Sequence, residues 1–369
     1  MTYIHEGANW PEMIFDPSAA HGSVLAVHRS LGRLHGKLDA LGFDVQNELL
    51  LNSVSDEVVA SSEIEGEKLN SSSVRSSIAK RLGLETAGVV DAPINNYTEY
   101  VVEMTLDATQ NYALPATEER LFGWHAALFP TGRSGIRRII VGAYRVEEMS
   151  IVSGAIGRER IHYRAPAAER VPGEMKRFLE WLEAKQNIDP YVKAGIAHLW
   201  FESIHPFDDG NGRIGRAIVD LLLARAENNP KRYYSLSSQF LIERKAYYDE
   251  LEAATSNTGS IDRWLAWFLG CLLRAVEASE EKLGLAKRKA MFYGRLRKVT
   301  LNERQLSMLN RLTDGFQGKL TTSKWAKICK CSHDTALRDI EYLVGKGVLS
   351  RSAEGGRSTS YDLVQLAVE

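Results

Sequence analysis

The stretch His205-Pro206-Phe207-Asp208-Asp209-Gly210-Asn211-Gly212-Arg213-Ile214-Gly215-Arg216 constrains this chain more than any other feature. It puts a titratable base, a hard-metal ligand, a glycine-rich anion cradle and two arginines into one turn and the start of a helix. A helix that begins after Gly210 presents N–H groups that no intrahelical carbonyl takes, and its macrodipole adds partial positive charge, so an anion fits there. Gly210 and Gly212 let the backbone approach that anion with no Cβ between them. Arg213 and Arg216 are three apart and project from one helical face toward the same end of a polyphosphate. Asp209 is a carboxylate of the kind that holds Mg²⁺ jointly with substrate phosphates. His205 is a base with an unperturbed pKa near neutrality. Together these residues read as nucleotide phosphate chemistry. Two rival motifs fail on spacing. There is no Gly-x-x-x-x-Gly-Lys-Ser/Thr run, and Asp208-Asp209-Gly210 lacks the alternating acidic positions of a calcium loop.

From His205 to Arg216 the chain matches HPFxDGNGRxxR at every fixed position and resembles the Fic family. The apolar lead-in Ala197-His198-Leu199-Trp200-Phe201-Glu202-Ser203-Ile204 is similar to the helix that precedes this motif in the family. The resemblance implies an all-α fold, with a Fic core spanning about residues 110–255 and carrying a small β-hairpin flap. It also implies an enzyme, a nucleotidyltransferase that moves AMP from Mg-ATP to a Ser, Thr or Tyr hydroxyl of a protein, itself included, and releases pyrophosphate. Carried over by position, His205 takes the hydroxyl proton as the oxygen attacks the α-phosphorus. Asp209 holds Mg²⁺ between the α- and β-phosphates. The N–H groups around Asn211 and Gly212 cradle the phosphate oxygens, Arg213 stabilises the leaving group and Arg216 reaches the γ-phosphate. Gly210, Ile214 and Gly215 complete the ATP-binding run.

A second motif, Ser61-Ser62-Glu63-Ile64-Glu65-Gly66, fits the family's inhibitory pattern (S/T)xxxE(G/N) with Ser61, Glu65 and Gly66 on the fixed positions. Ser61 and Glu65 are four apart, hence neighbours on one helical face. An ordinary amphipathic helix with a surface glutamate gives the same short pattern. Beside the motif at His205, the resemblance implies that Glu65 pairs with Arg216, occupies the γ-phosphate position and holds ATP in an unproductive pose.

Farther on, Gly157-Arg158-Glu159-Arg160-Ile161-His162-Tyr163-Arg164-Ala165-Pro166 alternates charged and apolar residues, which suits a short exposed strand closed by Pro166. Its place is similar to that of the Fic flap, so Arg160, Ile161, His162 and Tyr163 are candidates for docking the target backbone. Gly142-Ala143-Tyr144-Arg145-Val146 enters that region and receives no chemistry. Tyr248, with Tyr247 close behind, is the candidate for the adenine pocket, although an aromatic pair on a helix equally suits a core.

Hydrophobic residues make up 44% of the 369 residues, and 46 Lys and Arg nearly cancel 47 Asp and Glu, so nothing global points to nucleic acid or membrane. The three cysteines, Cys271, Cys329 and Cys331, have no metal-ligand spacing. Their odd number, with no secretory signal, fits a cytoplasmic protein. The apolar run Trp264–Val276 is broken by Arg274 and is too short to span a bilayer, so no membrane is expected. Trp10-Pro11 is expected to dock on the surface of the fold. Helical spacing runs from Val24 to Leu69 with a break at Gly42, and Asp91-Ala92-Pro93 marks the next helix start.

The last part reads as a winged helix-turn-helix. Asn302-Glu303-Arg304-Gln305 opens a helix with Leu306, Leu309 and Leu312 on one face. Leu320-Thr321-Thr322-Ser323 leads into a second, Ser332 caps a third, and Gly345-Lys346-Gly347 ends it. Val348-Leu349 and Tyr361-Asp362-Leu363 are wing strands around Glu354-Gly355-Gly356-Arg357. Three regions follow: 1–109 with the inhibitory helix, 110–286 with the Fic core and the helices after it, and 287–369 as the winged helix. In 287–369, 8 Lys and 8 Arg face 8 acidic residues, a balance of +8 in a chain of net −1, which leaves −9 elsewhere. That asymmetry suits a DNA-facing module with Ser332, His333, Thr335 and Arg338 at the major groove, and equally a winged helix used for protein contacts or a homodimer. Two alternatives to the autoinhibited transferase stay open. One is a DNA-binding regulator whose Fic core senses nucleotide. The other is removal of AMP from a modified protein, with Glu65 activating a water.

Overall fold

The computed structural model describes residues 2–84, 92–153, 160–313, 316, 318–352 and 359–364. Strands are confined to short antiparallel pairings and helices carry the rest, as the all-α expectation has it. Two compact units, Met1–Ser279 and Glu280–Glu369, each have their own core.

The first unit opens with α1 (Pro17–Asp39), which starts on Pro17 with the Asp16 carboxylate taking the Ser18 N–H. α2 (Phe43–Ile64) follows Gly42. α3 (Ser71–Arg81), beyond the helical spacing that ends at Leu69, is capped by Asn70. α4 (Asn96–Gln110) begins later than Asp91-Ala92-Pro93 suggested, because the Asn95 side chain accepts the Thr98 N–H and sets the first turn there. Asp91 itself lies outside the described residues. α5 (Glu118–Leu128) is followed by a two-residue hairpin, β1 (Arg133–Ser134) with β2 (Arg137–Arg138), and a longer one, β3 (Ser150–Ser153) with β4 (Arg160–Arg164). Then come α6 (Val171–Glu183), α7 (Pro190–Ile204), α8 (Asn211–Glu227), α9 (Leu236–Ile242), α10 (Arg244–Thr255) and α11 (Asp262–Arg295), whose residues after Ser279 belong to the second unit.

α7 is the axis of this unit. Apart from Pro190 and Lys193 all its residues are buried, the mark of a helix packed on every side. Burying one Phe- or Leu-sized side chain of this kind contributes about 1.5–3 kcal/mol. Gly195 lets α11 come close: a Cβ there would lie 2.9 Å from Phe268 Cδ1, and Trp264 Nε1–H donates to the Gly195 carbonyl at 2.8 Å. At the N-terminus, Trp10 meets Trp200 edge-on at 6.0 Å and donates to Glu174 at 2.9 Å.

In the second unit, α12 (Glu303–Thr313) opens on a reciprocal cap, Gln305 N–H to Asn302 Oδ1 at 2.9 Å and Asn302 N–H to Gln305 Oε1 at 3.0 Å. β5 (Leu320–Thr321), α13 (Thr322–Ile328), α14 (His333–Gly345), β6 (Leu349–Arg351) and β7 (Ser360–Leu363) complete it, with strand order β5-β7-β6. Met308, Leu309, Trp325, Ile340, Leu343 and Tyr361 form the core. Leu306, expected to point inward, is 44% exposed, because the inner face of α12 runs through Gln305, Met308 and Leu309. The segment Glu354-Gly355-Gly356-Arg357 lies outside the described residues.

Candidate active site

The chain must turn from α7 into α8 within six residues, and it does so with two left-handed residues, His205 (φ 49°) and Gly210 (φ 84°). At Gly210 only glycine serves, since a Cβ would also meet Phe129 at 2.8 Å. Asn211, buried, braces the turn from inside: it takes the Phe207 N–H at 2.9 Å and returns its own amide to the Phe207 carbonyl at 2.8 Å. Arg145 clamps it from outside. Its guanidinium donates to the carbonyls of His205 (2.8 Å), Glu147 (2.9 Å) and Pro166 (2.6 Å), and its own N–H goes to Pro206 O at 2.9 Å. Nothing local in Gly142–Val146 announces this role.

His125 supports the same turn. Gly142 N–H donates to His125 Nδ1 (3.1 Å), which leaves Nε2–H to donate to the Asp209 carbonyl (3.1 Å). The ring stacks on Phe207 at 4.3 Å. Burial pushes its pKa down to about 4, so it stands neutral. The Asp209 carboxylate takes the Ser134 hydroxyl and the Gly210 N–H. Its side chain remains 42% exposed, so a hard oxygen donor is available at the mouth of α8.

Both arginines of the turn are buried and both are already engaged. Arg216 donates to the Ser61 hydroxyl (2.9 Å), the Ser61 carbonyl (2.8 Å) and Glu65 Oε1 (2.9 Å). Arg213 donates to Glu67 Oε2 (3.0 Å) and the Tyr97 hydroxyl (2.8 Å), and Tyr97 in turn donates to Glu67. Gly66, at φ 84°, turns the chain past the end of α2 so that Glu65 and Glu67 reach different arginines. A Cβ at Gly212 would overlap the Glu65 carboxylate, so any larger residue there displaces Glu65 from this position. Glu65 thus lies over the first turn of α8, where an anion would bind.

Glu65, Gly212, His205, Tyr247 and Tyr248 line one open cavity of about 1750 Å³, mouth included, together with the β3–β4 hairpin. Burial holds the His205 pKa down at about 4. Tyr248, 42% exposed, faces the cavity and donates weakly to Ile64 O at 3.3 Å. Tyr247 is a core residue, its hydroxyl 2.8 Å from His198 Nε2 and its ring 4.7 Å from Phe240. On the hairpin, Arg160 and His162 are tied to Glu252 of α10 at 2.7 and 2.8 Å, and Ile161 is 39% exposed.

Several expected contacts fall elsewhere. Tyr163 points inward rather than toward a target: its hydroxyl donates to Ser203 O at 2.6 Å and sits 3.1 Å from His5. The alternation of β4 was legible, but its buried face is chosen by the packing beneath it. Ile214 is fully buried in the core, and Gly215 faces Glu202 and His198, because successive residues of α8 rotate away from the cavity. The Asn211 side chain is spent on the turn, and Gly210 packs on Phe129. Gly157, Arg158 and Glu159 lie outside the described residues.

Residues 115–223 match the Fic/DOC family, and residues 3–84 match a domain of unknown function (DUF4172). The chain carries a Fic domain. It is 36% identical to protein adenylyltransferase Fic of Culex quinquefasciatus across 105 residues, 28% of this chain and 19% of that one. It is 32% identical to protein adenylyltransferase Fic of Nematostella vectensis across 115 residues, 31% and 25% of the two chains. The chain therefore spans a quarter or less of the length of these curated relatives. The fold is shared more widely. A Fic family protein from Desulfovibrio desulfuricans aligns over 98% of this chain and 100% of its own, at TM-score 0.56 and 21% identity. A Fic domain-containing signaling protein from Bacteroides thetaiotaomicron aligns over 69% and 98%, at TM-score 0.51 and 19% identity.

Among the described residues no cluster of three or more His, Cys, Asp or Glu side chains could hold a metal by itself. The Asp209 carboxylate, 42% exposed, is a single hard oxygen donor of the kind that would hold Mg²⁺ jointly with nucleotide phosphates. Among the described residues no helix is long and apolar enough to cross a membrane.

Proposed function

We propose that this chain is an autoinhibited protein adenylyltransferase that moves AMP from ATP to a hydroxyl of a protein, with itself among its substrates. The observation that carries the reading is the shared cavity, which joins the base His205, the first turn of α8 at Gly212 and the edge of a β-hairpin. The backbone N–H groups at the start of α8 receive the phosphate oxygens, and Arg213 and Arg216 take the outer phosphates. Tyr248 borders the space left for the base. The hairpin edge β3–β4 offers backbone groups to an extended target segment. His205, neutral because it is buried, accepts the hydroxyl proton as the oxygen bonds to the α-phosphorus and the bond to pyrophosphate breaks. Asp209, with the nucleotide, would hold Mg²⁺, which neutralises charge on the departing pyrophosphate when bound. Most of the acceleration then comes from position and fixed charge.

In the resting state Glu65 lies over Gly212 and pairs with Arg216, so ATP cannot seat its outer phosphate on that arginine. Glu67 and Tyr97 restrain Arg213 in the same way. The test is transfer of label from α-labelled ATP to protein by Glu65→Gly; absence of label in the presence of Mg²⁺ overturns the reading.

We read the second unit as a winged helix that meets DNA through α14. The +8 balance of residues 287–369 supports this, as do exposed His333 and Arg338 near the start of that helix. Ser332 and Thr335 are partly committed to the cap, where the Ser332 hydroxyl takes the Thr335 N–H at 3.2 Å.

A further inference from the structure

We infer that Glu202 is the positioning residue for His205: its carboxylate receives the imidazole Nδ1–H and leaves Nε2 as the nitrogen that takes the proton of the attacking hydroxyl. The inference rests on the transferase reading of the same site. A histidine acts as a base through one nitrogen only when the other carries the proton, and the acceptor beside that second nitrogen fixes the tautomer.

Three observations point to Glu202. It sits one turn before His205 on α7, with Oε2 3.8 Å from His205 Nδ1. The gap is longer than a hydrogen bond and closes with a small side-chain rotation, and catalytic contacts of unliganded sites are commonly loose in this way. His205 Nδ1 and Glu202 Oε1 are both buried polar atoms without a hydrogen-bond partner among the described residues. Buried polar atoms are rarely left so; Oε1 now faces Gly215 and His198, and a rotation of the carboxyl would bring it onto His205 Nδ1 beside the Glu202 backbone carbonyl. Finally, α8 makes room for this carboxyl. A Cβ at Gly215 would lie 2.6 Å from Glu202 Oε1 and 3.3 Å from His198 Cε1, so any larger residue pushes the glutamate away.

The charged and titratable groups around Glu202 come from four elements: His198 and His205 from α7, Arg216 from α8, Glu65 from the end of α2, and Tyr247 from α10. His198 meets the Tyr247 hydroxyl through Nε2 and is held neutral by burial, while its Nδ1 faces Gly215 beside Glu202 Oε1. Burial, reinforced by the charge of Glu65, pushes the Glu202 pKa up to about 8. The resting contact of Glu65 therefore disfavours the charged form of Glu202, in addition to covering the anion site. With Glu65 withdrawn, Glu202 ionises more readily. In the transfer step the hydroxyl O–H breaks, its proton goes to Nε2, the oxygen–phosphorus bond forms and pyrophosphate leaves. The imidazolium then directs Nδ1–H at the Glu202 carboxylate.

The test uses the full chain in the Glu65→Gly background, with Glu202→Ala, Glu202→Gln and Gly215→Ala. Glu202→Ala should lower kcat for AMP transfer about 10- to 100-fold, while KM for ATP stays within about twofold. Glu202→Gln keeps an acceptor oxygen and should retain more activity; Gly215→Ala, which displaces the carboxyl, should behave like Glu202→Ala. Independently of turnover, ¹⁵N NMR of the His205 imidazole should report the Nδ1–H form with Glu202 and a gain of the Nε2–H form in Glu202→Ala. An unchanged tautomer overturns the inference whatever the activity, and so does an unchanged kcat. A tautomer shift with no AMP transfer by any variant leaves the pair standing and removes the transferase reading instead.

Discussion

Glu65 and Arg216, 151 positions apart in the chain, meet at 2.9 Å over the first turn of α8. The arginine is buried and the carboxylate is 31% exposed, so the pair is partly desolvated and the charge-assisted bond holds its geometry. Replacing Glu65 with Gln keeps the shape and removes the charge. Arg216 would keep its two bonds to Ser61 but lose its counter-ion, at a cost of about 1–3 kcal/mol. We expect Glu65→Gln to melt a few degrees below wild type, to modify itself faster, and to recover stability when Mg-ATP is added. Unchanged melting and unchanged self-modification would mean that the pair restrains nothing.

On the proposed autoinhibited reading, Glu67 would give the release of the site a second stage. Arg213 is held by Glu67 and Tyr97, and removing Glu65 leaves those bonds in place. Glu67→Gln alone should therefore leave activity near the wild-type level. In the Glu65→Gly background it should add roughly a further threefold to the transfer rate, the amount expected for loosening one partly exposed ion pair. A fall in rate would show instead that Glu67 orients Arg213 for the reaction.

Acid should weaken the fold. The pKa values of His125, His198 and His205 are pushed down by burial to about 4, 3 and 4, so the folded chain holds these rings neutral. Unfolding lets each take a proton below about pH 6.5, and the stability they contribute is lost as pH falls from there toward 4. Glu202, pushed up to about 8, acts the other way: its contribution is present at low pH and is lost as pH rises through 8. His5, lowered by burial, joins the three histidines below pH 6.5, whereas Asp220, raised by burial, and His35, raised by Glu227, join Glu202; four groups oppose three, so Tm should drop between pH 7 and pH 5. A Tm that rises over that interval contradicts the neutral, buried assignment of the histidines.

Residues 287–369 should bind duplex DNA with an affinity that falls steeply with salt, since their +8 balance would act through phosphate contacts. Arg338→Glu should weaken the binding at every salt concentration. No shift of a DNA duplex at about 50 mM salt by the full chain would remove the DNA reading.

What could be read from the sequence was whatever lies close together in it. His205–Arg216 is a contiguous run whose chemistry follows from order and spacing, Ser61–Gly66 is a contiguous run that resembles the Fic inhibitory pattern, and Asn302, Ser332 and Thr321 announce helix starts through caps three residues long. The partners that make these runs a site come from far along the chain. Arg145 clamps the His205 turn from 60 residues away, His125 reaches Asp209 across 84, and Glu67 reaches Arg213 across 146. No periodicity encodes such meetings. Faces were equally hard to assign: Tyr163 on β4 and Leu306 on α12 alternate correctly with their neighbours, yet which side is buried depends on what packs there.

Intact-protein mass after incubation with Mg²⁺ and ATP tests the central claim most directly, with wild type, Glu65→Gly and His205→Ala side by side. The account predicts one or more added AMP groups on Glu65→Gly, little or none on wild type and none on His205→Ala, although His205→Ala should still bind ATP. No added mass on Glu65→Gly, or equal addition on all three proteins, would contradict it.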